Sequence, residues 1–171
     1  MEPDPVRLRS GREIAIRPIR ADDAGRLEAS HALLSPGTRY RRFLAAKPRL
    51  TEPELRYLTE VDGRDHVALI ATPIGDPERI VGVGRFIRDH GDPKAAEFAI
   101  VVSDAYQGDG LGTELITRLA GAATERGISR FTATVLADNE PIHRLLRRLA
   151  GEFAEHRRAG SVEELTVDLA A

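Results

Sequence analysis

The sequence predicts a mixed α/β fold: one domain over residues 1–171, with a central, mostly antiparallel sheet flanked by helices. Three observations predict it. The apolar runs "HVALIAT", "RIVGVGRFI" and "AAEFAIVV" are joined by the turn-rich "PIGDPE" and "DHGDPK", the pattern of successive hairpins. Segments with helical spacing and capping residues at their starts stand on either side of those runs. A chain of 171 residues with 42% hydrophobic side chains is long enough to bury a single core.

The elements follow in order. Residues 1–11 are read as a flexible N-terminus. In "REIAIRPI", Ile14 and Ile16 alternate before Pro18, which suits a strand near a sheet edge. "ADDAGRLEASHALL" places Leu27, Leu33 and Leu34 at helical spacing behind Asp22 and Asp23, acids suited to a helix start. Ser35 and Pro36 read as a cap and first helical position, opening "SPGTRYRRFLAA". Thr51 and Glu54 have the spacing of a capping box for "TEPELRYLTEV". After the three antiparallel strands, "LGTELITRLAGAATERG" reads as a helix whose end is marked by Gly127. A strand "RFTATVL", a helix "NEPIHRLLRRLA" and a terminal pair, "GEFAEHRR" and "SVEELTVDL", complete the chain.

Composition removes several classes of function. The net charge is -2, and acids are interleaved among the arginines, so no basic face for nucleic acid is expected. The absence of cysteine excludes disulfides, thiolate metal sites and a cysteine nucleophile, and no metal is expected. The N-terminus lacks a signal-peptide run, and no segment has the apolar length of a membrane span. A cytoplasmic protein without a membrane partner is expected. The sequence carries no signal for an oligomeric state.

Chemistry concentrates in "YQGDGLGTEL", where Gly108, Gly110 and Gly112 stand between a strand and a helix. Glycine is costly there unless unusual dihedrals or a close backbone approach are needed. The first turn of a helix has unpaired N–H groups and partial positive charge, and glycines let an oxyanion reach them. A nucleotide P-loop would need a Gly-Lys-Ser/Thr ending, and no lysine is near. A dinucleotide fingerprint needs a different glycine spacing within a parallel βαβ unit, and hairpin-linked strands precede this loop.

Gln107, Gly110 and Gly112 satisfy the pattern Gln/Arg-x-x-Gly-x-Gly/Ala. Here the sequence resembles the GNAT superfamily of N-acetyltransferases. The resemblance implies that the loop cradles the pyrophosphate of acetyl-CoA, and it assigns cofactor contacts to Gln107, Gly108, Asp109, Gly110, Leu111, Gly112 and Thr113. It adds Ile100, Val101 and Val102 of the preceding strand, whose backbone runs beside the pantetheine. Asn139 joins them as the Asn that commonly opens the last helix, and it is also a plain helix N-cap candidate. Asp109 departs from relatives, which usually carry Arg or Lys there. An anion beside phosphate in a solvated loop costs on the order of 1 kcal/mol at about 4 Å, and Asp109 reads equally as simply pointing to water.

An amine must lose a proton before attacking a thioester. With a pKa near 10.4, presenting a neutral lysine at pH 7 costs about 4.6 kcal/mol. A carboxylate in the cleft can take that proton. Glu97 is the candidate: alternation places Glu97, Ala99 and Val101 on one strand face and Phe98, Ile100 and Val102 on the other. By itself such an acid reads equally as a solvated strand-end charge; the resemblance favours the base. The resemblance also implies a Tyr in the last helix that protonates the leaving thiolate. Counting from Asn139 puts Leu146 there, and no tyrosine follows Tyr106. His143 is the candidate substitute, against the plainer reading of a helix-surface histidine, and protonation of the thiolate by solvent is the remaining alternative.

The N-terminal half, "IAIRPIRADDAGRLEASHALLSPGTRYRRFL" and "LTEPELRYLTEVDGRDHVALIA", is similar to the acetyltransferase domain of Pat-type bacterial protein lysine acetyltransferases. The similarity runs over roughly residues 12 to 155 and implies a protein lysine acceptor, with acyl-CoA synthetases among the family's targets. The length leaves no room for the extra regulatory domain of some members, so that regulation is not expected. Arg39, Arg41 and Arg42 are expected near the acceptor, either facing an acidic protein surface or solvated, with Tyr40 and Phe43 packing inward. The alternatives are acetylation of a small amine and a non-catalytic acyl-CoA sensor.

Overall fold

The computed structural model describes residues 3–170; residues 1, 2 and 171, part of the expected N-terminal tail among them, lie outside the described residues. The described residues form one eight-stranded sheet, in the order β1-β2-β3-β4-β5-β6-β8-β7. Its first element corrects the sequence expectation. Asp4–Arg7 is not a loose tail but β1, paired antiparallel with β2 (Glu13–Pro18) through a turn at Leu8–Arg12. β2 therefore lies one strand in from the edge.

The helices begin where their caps predict. Asp23 ends a short 3₁₀ turn, Ala21–Asp23, ahead of α1 (Ala24–Leu33). It is more than a helix-start acid. It is fully buried, takes two bonds from the Arg17 guanidinium at 2.7 and 2.8 Å, and accepts from the Arg20 backbone at 2.8 Å. Arg26 adds a contact at 3.0 Å, so the buried charge is matched, as it must be. α2 (Pro36–Phe43) starts at Ser35, whose hydroxyl accepts from the Thr38 N–H at 3.2 Å. α3 (Glu52–Thr59) has the capping box in full, with Thr51 and Glu54 each accepting from the other's N–H.

β3 (His66–Pro73), β4 (Gly82–Arg88) and β5 (Ala95–Val102) are the antiparallel centre. α4 (Leu111–Glu125) crosses from β5 to the parallel β6 (Arg130–Leu136); α5 (Glu140–Ala150) then leads to β7 (Glu155–Ala159) and β8 (Val162–Asp168). One face of the sheet buries Phe86, Phe98 and Phe131 under Leu115 and Leu119 of α4 and Leu146 of α5. The other buries Ile70 and Val83 under Leu27 of α1 and Leu55 and Leu58 of α3. α4 lies close on β4 because Gly84 has no side chain: a Cβ there would stand 2.8 Å from Leu119 Cδ1. No helix of the described residues is long and apolar enough to cross a membrane.

Candidate active site

The site originates in a defect of strand pairing. β5 and β6 run parallel but pair only at Ala95–Arg130, Ala96–Phe131 and Glu97–Thr132. β5 stays on β4 through Val102, so beyond Glu97 its other edge has left β6. A cavity of about 380 Å³ opens there, lined by Ile100, Val101 and Val102 on one side and Asn139, Ile142 and Leu145 of α5 on the other. A second cavity of about 220 Å³ shares Ile100, Asn139 and Ile142 with the first and reaches Glu97.

Gln107, Gly108, Gly110, Gly112 and Thr113 close one end of the larger cavity. Gly108 (φ +72°) and Gly110 (φ +93°) hold left-handed backbone, the conformation that glycine adopts without strain. Gly110 is the N-cap of α4 and contributes no side-chain cap, so the first N–H groups of the helix lack a local side-chain acceptor. Gly112 is different. It lies within the first turn, and a Cβ there would meet only Leu145 carbons at 3.8 and 4.0 Å, ordinary contact. The fold has room for a methyl group; what a methyl would obstruct is the cavity.

Not every residue expected at the cofactor points into the cleft. Gln107 lines it, yet its amide nitrogen donates to Thr38 Oγ1 at 3.2 Å and the Val102 carbonyl at 3.0 Å. Leu111 buries its side chain in the core, leaving its backbone at the loop. Asp109 turns its carboxylate away to Ser10, accepting from the backbone N–H at 2.7 Å and the hydroxyl at 2.5 Å. The anion is therefore spent on the β1–β2 turn, and that turn brings Arg9 into the lining instead. Sequence reading missed Asp104 altogether. It accepts from the Ser35 N–H at 2.9 Å, the Ser35 hydroxyl at 2.8 Å and the Thr38 hydroxyl at 2.7 Å, fastening α2 beside the loop. Those hydrogen bonds outweigh its burial and hold its pKa below the usual carboxylate value. No local pattern around Asp104 foretells them, because its partners are up to 69 residues away.

Glu97 is exposed at the point where β5 and β6 part, on the strand face shared with Ala99 and Val101. Arg42 of α2 shares the smaller cavity with it. Burial lowers the Arg42 pKa and the Glu97 charge opposes that shift; the guanidinium lies 4.7 Å from the Phe43 ring centre. Leu44 ends α2 at φ +57°, an uncommon conformation for leucine, and also lines this cavity. Arg39 is used structurally, donating to the Leu34 and Pro48 carbonyls, and Tyr40 is 46% exposed instead of packed inward.

α5 corrects the count from Asn139. Its cleft side carries Asn139, Ile142 and Leu145, while Leu146 is 1% exposed in the core. His143 is not a surface histidine. It is buried, with Nε2 2.7 Å from Glu163 Oε2 and Nδ1 2.7 Å from the Asn139 carbonyl, and lines neither cavity. Asn139 accepts from the Ile142 N–H at 3.4 Å, a capping bond that leaves it on the cavity wall.

Residues 36–151, which span α2, the split strands, the glycine loop and α5, match the acetyltransferase (GNAT) family. The chain belongs to that family. This GNAT chain is 35% identical over 147 residues to acetyltransferase Pat of Mycolicibacterium smegmatis, covering 86% of the chain and 44% of that protein. It thus spans less than half the length of that relative. It is 31% identical over 139 residues to acetyltransferase PA5475 of Pseudomonas aeruginosa, covering 81% of the chain and 74% of that protein. The crystal structure of the GNAT domain of S. lividans PAT superposes with a TM-score of 0.87 at 33% identity, covering 98% of this chain and 97% of that one.

Proposed function

We propose that the chain transfers an acetyl group from acetyl-CoA to a primary amine, the ε-amine of a protein lysine. The observation that carries this reading is the split between β5 and β6 beside an uncapped, glycine-opened helix start. The open edge of β5 offers backbone partners to a pantetheine arm, and the α4 amides offer donors to a diphosphate. The wall of Ile100, Val102, Ile142 and Leu145 is apolar, as the arm's carbon chain needs. Gly112 leaves space at the helix start, so the residues present fit the group.

In this reading the lysine enters over Glu97, which takes the ammonium proton directly or through water. The neutral nitrogen attacks the thioester carbonyl, the C–S bond breaks, CoA leaves as thiolate, and the nitrogen loses its second proton to solvent as the amide forms. No tyrosine faces the cleft along α5, so solvent protonates the thiolate. Acetyl-CoA as donor places the reaction in the cytoplasm. The likeness to Pat favours a protein acceptor, and an acyl-CoA synthetase lysine is the first to try.

The test is mass spectrometry of a bacterial lysate incubated with the protein and isotopically labelled acetyl-CoA. Labelled lysines that vanish with Glu97→Gln support the reading. Release of CoA with small amines alone, and no labelled protein, would redirect it to a metabolite acceptor.

A further inference from the structure

The glycine loop lacks its own cation. No Lys or Arg occurs from Ser103 through Thr117, and Asp104, Asp109 and Glu114 are all acidic. A diphosphate approaching α4 would meet backbone dipoles but no local positive charge from that stretch.

The β1–β2 turn supplies one. The turn is closed by bonds from Leu8 N to the Arg12 carbonyl and from Gly11 N to the Leu8 carbonyl, both 2.9 Å. It is fastened to the loop along its length. Arg9 N donates to the Asp109 carbonyl at 3.3 Å, and Ser10 donates twice to the Asp109 carboxylate. Arg12 donates to the Ala105 carbonyl at 2.7 Å, and its guanidinium lies 4.5 Å from the Tyr106 ring centre. The result is that Arg9 lines the larger cavity next to Gly110: its Nε lies 3.8 Å from where a Cβ on Gly110 would stand. Among the described residues the Arg9 guanidinium makes no hydrogen bond or salt bridge; it acts on Asp109 through its charge alone, helping to hold that carboxyl below its ordinary pKa, so its donors remain available.

We propose that Arg9 is a diphosphate-binding residue of the cleft, and that Asp109 with Ser10 is the pair that positions it. This rests on the reading of the cleft as an acetyl-CoA site. In this arrangement the loop acid, unfavourable beside phosphate, acts through a neighbour. Still an anion, it accepts both hydrogen bonds from Ser10 and thereby holds an arginine where the loop has none. A guanidinium meets phosphate with paired donors, and the bond is charge-assisted.

Calorimetry with CoA and with dephospho-CoA, which keeps the diphosphate and lacks the 3′-phosphate, tests the proposal. Wild type binds both. Arg9→Gln weakens both by about 5- to 10-fold, and Arg9→Lys recovers part of the loss. Asp109→Asn weakens both by about 3-fold, opposite in sign to the gain expected from merely removing an anion near phosphate. In the Arg9→Gln background Asp109→Asn adds no further loss, since it acts through Arg9.

Wild-type affinity of Arg9→Gln for both ligands would overturn the proposal while leaving the cofactor reading intact. So would a loss confined to CoA, which would move Arg9 to the 3′-phosphate, or tighter binding by Asp109→Asn. A wild-type protein that binds neither ligand would bring down the cofactor reading itself.

Discussion

Gly112→Ala separates what the fold requires from what the ligand requires. The added Cβ stands 3.8 and 4.0 Å from Leu145 methyl carbons, so it fits without displacing its neighbours. Gly112 lies in the first turn of α4, where alanine is the better helix former. A full helix-interior exchange is worth up to about 1 kcal/mol, and a first-turn position about half of that. The melting temperature of the free protein should therefore rise by about 1–2 °C. Binding should move the other way. An oxyanion held by the adjacent amides needs to come within about 2.9 Å of a backbone nitrogen, and the methyl group crowds that path. A tenfold loss of affinity for CoA, about 1.4 kcal/mol, is the expected minimum. At saturating CoA that loss subtracts directly from ligand stabilisation, so the CoA-induced rise in melting temperature should shrink by about 3–6 °C. The assay is a thermal melt of wild type and variant with and without CoA, backed by calorimetric Kd. An unchanged CoA-induced shift in the variant would refute the argument that this glycine exists for ligand approach.

Glu97→Gln should lower turnover at pH 7 by about 100- to 1000-fold. The deficit should narrow toward pH 10, where the acceptor amine deprotonates unaided, while CoA affinity stays at the wild-type value; parallel pH profiles would remove Glu97 as base. Asp23→Ala strips the partner from Arg17, whose side chain is 13% exposed, and should cost about 3 kcal/mol in urea unfolding. A loss below about 1 kcal/mol would show the network to be ornamental. The same residue governs acid stability. Burial alone would raise the Asp23 pKa, but hydrogen bonds from Arg17 and the Arg20 backbone hold it at about 2, below its ordinary 3.8. Its folded pKa is the lower one, so its stabilisation is complete above pH 3.8 and disappears as pH falls through 2; Asp23→Asn should flatten the melting curve across that window. His66 acts at milder pH. Burial first, and then the Arg85 charge beside it, lower its pKa from 6.5 to about 4. Unfolded protein then binds the extra proton first, so stability falls from pH 6.5 down through 4. His66→Gln should shallow that slope in melts across the range, and an identical slope would exclude His66 as its cause.

The parts of this molecule legible in the sequence are those encoded within a few residues. Ser35 with Thr38, and Thr51 with Glu54, cap helices through bonds spanning three positions. Gly108 and Gly110 advertise left-handed turns, and alternation from Glu97 to Val102 assigns each side chain to a face. The loop and its strand could therefore be singled out as a candidate ligand site before any contact was known.

Tertiary structure alone decided the rest. Asp109 meets Ser10 across 99 positions, and Gln107 meets Thr38 across 69. In sequence each of these polar residues is indistinguishable from one facing water, because its meaning depends on which distant backbone is beside it. The N-terminal residues read as a tail for the same reason: β1 is stable only on an existing β2 edge, and no short-range pattern records that edge. The cleft itself is of this kind. It exists because β5 keeps β4 and leaves β6 after three pairs, a property of the sheet's geometry and of neither strand alone.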